Sequence, residues 1–326
     1  MDFKWKKLGK VFTPQEVEGK DWCKDYAQSP SALVFDEFVR VYFSCRQARD
    51  QEGRDISYCA YIDLDRGNLL KTVRMAEHPV FELGHRGEFD EFGTYIMSAL
   101  QVGGAVRAYY AGITRCVSVP FNTAIGMAIS EDGGETFKKY GRGPIIGYST
   151  DEPFIMSGPK IRIFNGIWYL FYIAGQVWKL MEGRPEPVYK IRLAVSKDGI
   201  HWEKQNRDLL PSKLEEDEVQ SGPDVIFANG KYHMFFCYRY SGNHRGKEKS
   251  LRIGYASSDN LLDWVRDDSK AGIDVSEEGW DSEMVRYPHV FELDKDTYMF
   301  YNGNEFGRNG FGLARLEGSL CISKGS

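Results

Sequence analysis

An apolar strand, a turn of two to four residues and an aromatic-rich strand recur five times along 326 residues. The first copy runs from Ser29-Pro30-Ser31-Ala32-Leu33-Val34 to Val39-Arg40-Val41-Tyr42-Phe43, and the second from Ser98-Ala99-Leu100 to Val106-Arg107-Ala108-Tyr109-Tyr110. The third runs from Gly158-Pro159-Lys160-Ile161 to Trp168-Tyr169-Leu170-Phe171-Tyr172, the fourth from Gly222-Pro223-Asp224-Val225-Ile226 to Tyr232-His233-Met234-Phe235-Phe236. The fifth pairs Tyr287-Pro288-His289-Val290-Phe291 with Tyr298-Met299-Phe300-Tyr301. Pro30, Met97, Pro159, Pro223 and Pro288 share one register, spaced by 67, 62, 64 and 65 residues. A fixed period built of strands identifies propeller blades, and Pro is tolerated where a strand begins because no ladder donor is lost there.

Each unit also carries a third strand that ends in a polar turn and an aromatic, as in Ser130-Glu131-Asp132-Gly133-Gly134-Glu135-Thr136-Phe137 and Ser196-Lys197-Asp198-Gly199-Ile200-His201-Trp202. The first resembles the Asp-box of sialidases and other propellers. Asp-Gly supplies the positive φ of a tight turn, so these aspartates hold turns rather than perform chemistry. Residues 5–12 resemble the outer strand after an Asp-box turn, and the last unit lacks such a segment. The expected fold is therefore all-β: one five-bladed β-propeller over residues 1–326, with four-stranded antiparallel blades and the N-terminal strand closing the last blade.

A net charge of −5 and a pI near 5.8 argue against nucleic acid as the main partner. Residues 1–6 show no apolar signal-peptide core, and no run of 18 apolar residues is available to span a membrane. The six cysteines form no C-x-x-C and fall mostly in or beside strands, which suits buried thiols in a reducing, cytoplasmic setting. The histidines show no metal-ligand spacing. No metal or other cofactor is expected.

The whole chain resembles the five-bladed β-propeller glycoside hydrolases, which include arabinanases and β-xylosidases, invertases and levansucrases, and mannoside phosphorylases. Gly279-Trp280-Asp281-Ser282-Glu283-Met284-Val285-Arg286-Tyr287-Pro288, with Met299–Asn304 and Gly310–Ala314, is similar to a glycosidase-like subgroup. The resemblance implies a carbohydrate substrate in an axial pocket, with three carboxylates just before the inner strands of the first three blades. Those places hold Gln28 and Ser29, Tyr95 and Ile96, and Ser157 and Gly158. The usual trio does not carry over.

Acidic residues stand earlier. Asp25, Glu218 and Glu283 lie five residues before the register position, Asp90 and Glu152 seven before it. Loops leading into inner strands open on one face, so these five are expected to converge on one mouth. Glycoside hydrolysis needs a protonated and an ionised carboxyl group, and Glu283, Glu152, Asp90 and Glu218 are the candidates. Second strands return to the same face, which places Arg46, Arg239, Arg115 and Arg286 there, suited to an anionic sugar or phosphate. Asp25, Tyr26, Gln28, Tyr238, Tyr287 and Asn302 complete the expected substrate contacts. Residues 176–189 and 240–250 read as long loops on the binding face.

The leading expectation is a glycoside hydrolase, inverting by analogy, that acts on an anionic glycoside. The alternatives are a glycoside phosphorylase that places phosphate on the arginines, a non-catalytic carbohydrate-binding propeller, and a protein-interaction scaffold. The oligomeric state is left open.

Overall fold

Strands rich in Val, Ile, Tyr and Phe, broken by Asp-Gly and Asn-Gly turns, form five antiparallel sheets of four strands each. The computed structural model describes residues 2–49, 51, 53–242, 248–318, 320 and 322. Strand β1 (Trp5–Phe12) is reserved for the last blade. The first blade holds β2 (Asp25–Val34), β3 (Phe38–Arg46), β4 (Ser57–Asp65) and β5 (Asn68–Met75). The second holds β6 (Thr94–Val102), β7 (Ala105–Arg115), β8 (Phe121–Ser130) and β9 (Lys138–Lys139). The third holds β10 (Met156–Phe164), β11 (Ile167–Met181), β12 (Arg184–Ser196) and β13 (Glu203–Lys204). The fourth holds β14 (Val219–Ala228), β15 (Lys231–Arg239), β16 (Arg252–Ser258) and β17 (Trp264–Arg266). In the fifth, β18 (Arg286–Leu293), β19 (Asp296–Asn302) and β20 (Phe311–Leu316) are completed by β1.

The register of β1 against β20 runs from Trp5↔Leu316 to Phe12↔Phe311, so the expected closing strand is present. Trp5 is buried, donates its indole N–H to the Ala271 carbonyl at 3.1 Å and packs edge-on against Phe235. A second clasp comes from Asn302, expected in the substrate site. Its carboxamide accepts from Ser29 N at 2.8 Å and donates to the Ala27 carbonyl at 2.7 Å, tying the fifth blade to the first.

Apolar clusters fill the spaces between neighbouring blades. Polar grips reinforce two of these joints. The Tyr42 hydroxyl donates to the Gly134 carbonyl in the Asp-box turn of the second blade, and Tyr109 does the same to Gly199 in the third. Within the first turn Asp132 accepts from Ser130, Thr136 and the Glu135 and Thr136 amides, the structural role expected of it. Cys23, Cys45, Cys59 and Cys237 are buried and unpaired, whereas Cys116 is exposed; Cys321 lies outside the described residues.

Five inner strands, β2, β6, β10, β14 and β18, contact one another in cyclic order round the axis. Four of them carry a bulge at the register position, preceded by a residue in the left-handed region: Ser29 (φ 55°), Gly158 (φ 60°), Gly222 (φ 55°) and Tyr287 (φ 51°). One residue after the register position, Ser31, Ser98, Lys160, Asp224 and His289 form a buried polar ring. Lys160 Nζ meets His289 Nδ1 at 2.9 Å, Arg162 pairs with Asp224, and the Ser98 hydroxyl accepts from Ile161 N of the next blade. Burial, aided by Arg162 and opposed by Asp224, pulls Lys160 down to about 8.

Two outcomes follow for stability. Trp5→Ala should lower the unfolding free energy by ~3–5 kcal/mol in urea titrations, because it leaves a cavity where the ring closes; a loss under ~1 kcal/mol would mean that β1 does not hold the ring. Lys160 binds its proton less tightly in the fold than in the unfolded chain, whose value is 10.5. The unfolded state therefore holds more protons between pH 8 and 10.5, and stability should rise with pH across that window in wild type relative to Lys160→Met. Parallel stability curves for the two proteins would contradict this.

Candidate functional site

A cavity of about 750 Å³ opens where the inner strands begin. Its lining includes residues one or two places before the register position from every blade: Gln28, Tyr95, Ser157 and Gly158, Ser221 and Gly222, and Arg286 and Tyr287. The bulges and left-handed residues turn these side chains toward the mouth. Tyr95 and Tyr287 meet through their hydroxyls at 3.1 Å. Burial holds the Tyr287 phenol well above its ordinary value despite Arg286, so it remains a neutral donor.

The cavity is chemically divided. The fifth, fourth and first blades supply Arg286, Arg239 and Arg46, and Arg115 leans in from the second to donate to the Asp55 backbone carbonyl at 3.0 Å. The Arg46 guanidinium lies 4.4 Å from the Tyr26 ring centroid, bonds Gln28 Oε1 and pairs with Asp55 at 3.3 Å. Asp55 also pairs with Arg49. Arg239 donates to the Tyr240 and Ser241 carbonyls. Arg286, only 4% exposed, lies against the Tyr287 ring at 3.8 Å, and its Nε has no hydrogen-bond partner. Among the described residues, Arg115, Arg239 and Arg286 have no carboxylate within 4.0 Å. Four further buried polar atoms of lining residues, Arg46 Nε, Ser57 Oγ, Thr123 Oγ1 and Ser221 Oγ, also lack partners.

The second and third blades give the opposite wall an apolar character: Phe92, Ile113, Phe121, Ile155, Ile173 and Trp178, with Pro120, Pro185 and Pro187. Residues 176–189, expected as a loop, are instead a regular hairpin arm. Strands β11 and β12 stay paired out to Met181↔Arg184 across the Glu182-Gly183 turn, whose two positive φ angles suit a two-residue hairpin. Lys179 pairs with Asp217 of the fourth blade, and Met181 lies against Gly242. Of the other expected loop, residues 243–247, including His244 and Lys247, lie outside the described residues.

The carboxylates expected at the mouth do not meet there. Asp90, Glu152 and Glu218 are buried inside their own blades, each bridging to a cation on the outer strand. Asp90 accepts from Tyr110 at 2.9 Å and pairs with Lys139 at 2.6 Å. Glu152 accepts from Tyr172 at 2.8 Å and pairs with Lys204 at 2.6 Å and Arg192 at 3.2 Å. Glu218 meets Arg266 at 2.5 Å and two backbone amides; burial pushes its carboxyl up, but Arg266 and Gln220 hold it below the ordinary value. The fifth blade repeats the device with Asp281, Tyr301 and Lys7. Burial and the touching carboxylate push the Tyr110, Tyr172 and Tyr301 phenols far up, which keeps them donors. Corresponding places in the first blade hold Cys23, Phe43 and Met75, and no such bridge forms there.

Glu283 is exposed, with its backbone held by Asn304 and Arg252, and Asp25 pairs with Arg308 outside the cavity. Tyr238 sits under the Arg266 guanidinium and Asn302 in the ring clasp. Tyr26, Gln28, Arg46, Arg115, Arg239, Arg286 and Tyr287 do line the cavity. Its two carboxylates, Asp55 and Glu186, were not foreseen. Asp55 precedes a third strand rather than an inner one, and Glu186 sits on the arm, between Pro185 and Pro187. Glu186 makes no ion pair among the described residues. No group of three or more His, Cys, Asp or Glu among them is placed to hold a metal ion.

Residues 156–311 match the glycosyl hydrolases family 32 N-terminal domain. The chain is 34% identical over 314 residues to Uncharacterized protein Rv1502 of Mycobacterium tuberculosis, covering 96% of this chain and 99% of that one. It is 25% identical over 222 residues to a 1,2-beta-oligomannan phosphorylase of Thermoanaerobacter sp., covering 67% of this chain and 66% of the relative. Among solved structures it matches a beta-1,2-mannobiose phosphorylase from Listeria innocua, complexed with beta-1,2-mannobiose, at a TM-score of 0.69 and 12% identity over 96% of each chain.

Asp90→Asn should cost ~2–3 kcal/mol in chemical denaturation, less than the ~3–5 of a fully buried pair because Lys139 keeps partial exposure. Ligand affinity at the axial cavity should not change, since Asp90 is outside it. A loss of ligand binding without loss of stability would return Asp90 to the site.

Proposed function

Because the chain belongs to the family of the Mycobacterium tuberculosis protein Rv1502 and has the five-bladed propeller of the glycoside hydrolases and phosphorylases, we propose that it cleaves an anionic glycoside in the axial cavity. The observation that carries this is the set of cavity arginines, Arg115, Arg239 and Arg286, without carboxylate partners among the described residues. Arg115 and Arg239 are held by backbone carbonyls, whereas Arg286 is buried with its Nε unpartnered; a guanidinium buried in this way is costly, and a carboxylate or phosphate on the substrate offsets that cost. Ser57, on the first blade, offers a hydroxyl to the sugar.

Two carboxylates are available for the chemistry. Glu186, which makes no ion pair among the described residues because Lys179 opposite it on the arm is taken by Asp217, serves as the proton donor. Asp55, between Arg46 and Arg49, serves as the carboxylate that activates water. The bond between the anomeric carbon and the glycosidic oxygen breaks, and that oxygen keeps the electron pair and takes the Glu186 proton. Water adds to the anomeric carbon and gives its proton to Asp55.

A second reading is phosphorolysis, in which inorganic phosphate on the arginines replaces water and the product is a sugar phosphate. It is supported by the similarity to the 1,2-beta-oligomannan phosphorylase and by the need for only one acid.

Product mass spectrometry on neutral, uronic, sialylated and phosphorylated glycosides, with and without phosphate, separates these readings. Cleavage of an anionic member should fall ~10²–10⁴-fold in Glu186→Gln with binding retained, and should be unaffected by Glu283→Gln. Saturable binding with no turnover of any glycoside would make the chain a carbohydrate-binding propeller instead.

A further inference from the structure

The divided cavity says more about the substrate than its charge. The cationic wall comes from the fifth, fourth and first blades, and the opposite wall is apolar. Among the described residues, the arm that completes this apolar wall has no counterpart in the other blades. Strands β11 and β12 are 15 and 13 residues long, whereas second and third strands elsewhere have 6 to 11. Trp178 on the arm is half-buried, braced edge-on by Phe121 at 5.7 Å and tilted against Phe154 at 6.3 Å. Two prolines, Pro185 and Pro187, stiffen the returning strand opposite it. A rigid indole held partly open beside a cavity is a stacking surface. One buried hydroxyl on this side, Thr123 Oγ1, has no protein partner and points to a single polar atom on the ligand.

We propose that this half of the cavity is an aglycone subsite for a flat aromatic group, so that the substrate is an anionic sugar joined to an aromatic leaving group. The inference rests on the anionic-glycoside reading above and adds the identity of the leaving group. Arg239 and Arg286 fix the charged sugar. Trp178 stacks on the aromatic ring, and Glu186, two residues after Arg184 where β12 leaves the turn, stands beside the bond between the two parts. Loss of the proton from Glu186 to the departing oxygen then releases a neutral phenol-type product.

Calorimetric titration tests this with 4-nitrophenyl and methyl glucuronides and the corresponding sugar 6-phosphates, in both anomers, against catalytically silenced Glu186→Gln. The 4-nitrophenyl compounds should bind about tenfold more tightly than the methyl ones. Trp178→Ala should abolish that advantage while the methyl compounds lose less than about twofold. Trp178→Leu, which keeps apolar bulk without a flat face, should behave like the alanine variant and guards against misfolding of the arm. Arg286→Gln should weaken both compounds together. Equal affinity for aryl and methyl ligands, or equal losses in the Trp178 variants, would overturn the aglycone subsite and leave the anionic reading standing. Tight binding of neutral aryl glycosides that ignores Arg286→Gln would instead overturn the anionic reading, with the Trp178 variants still reporting on the subsite. No binding of any compound would overturn both.

Discussion

Closure of the ring is the constraint on which everything else in this molecule depends. Five sheets joined only in series hold no axial cavity until the last is tied to the first. Strand β1 does this from the N-terminal end by pairing with β20, and Asn302 does it at the axis by gripping Ser29 and Ala27. The Tyr26 amide adds a bond to the Arg308 carbonyl. Tyr26 and Gln28 reach the cavity from the strand these contacts fix, so the geometry of the first wall of the site is set by the fold's fastening.

Charge is partitioned by depth. Within the second to fifth blades, Asp90, Glu152, Glu218 and Asp281 are spent on cations of their own outer strands. Each carboxylate is buried against a cation, and three of these cations are lysines that keep partial contact with solvent; pairing is the condition under which buried charge is tolerated. At the axial mouth the balance is reversed: guanidinium groups outnumber carboxylates, and Arg286 stacks on a tyrosine ring instead of pairing. A protein with a net charge of −5 thus presents a cationic cavity. The overall charge says little about the ligand when the field is set by a few desolvated groups.

The hairpin arm gives this cavity its second character. It extends the third blade, crosses to the fourth through Lys179 and Asp217, and brings Trp178 and Glu186 over the opening. A polar wall that binds charge and an apolar wall that offers a flat face let one cavity recognise two unlike parts of a molecule and hold the bond between them.

The fold was legible because a repeat writes its period into the chain. Shared register at Pro30, Met97, Pro159, Pro223 and Pro288, and the stray outer strand at residues 5–12, are local patterns that one blade after another must satisfy. The arginines were legible for a related reason: a second strand antiparallel to the inner one must end on the same face, which put Arg46 and Arg239 at the mouth. The carboxylates were not. Position in a loop does not say whether a side chain turns to the axis or into its blade, and for Asp90 and Glu152 the partners that decide it, Lys139 and Lys204, lie about 50 residues away in sequence. A spacing of 20 residues from acid to tyrosine in three blades was the one trace of that bridge in the chain. Asp55 and Glu186 belong to the cavity only because a third strand and an arm converge there, and convergence of distant segments is a property of the folded chain. The sequence by itself determined the blades, their number and how the ring closes, since these rest on periodic local patterns. Which charges face the axis and which are neutralised within a blade was decided only by tertiary contacts between residues that the periodicity does not relate.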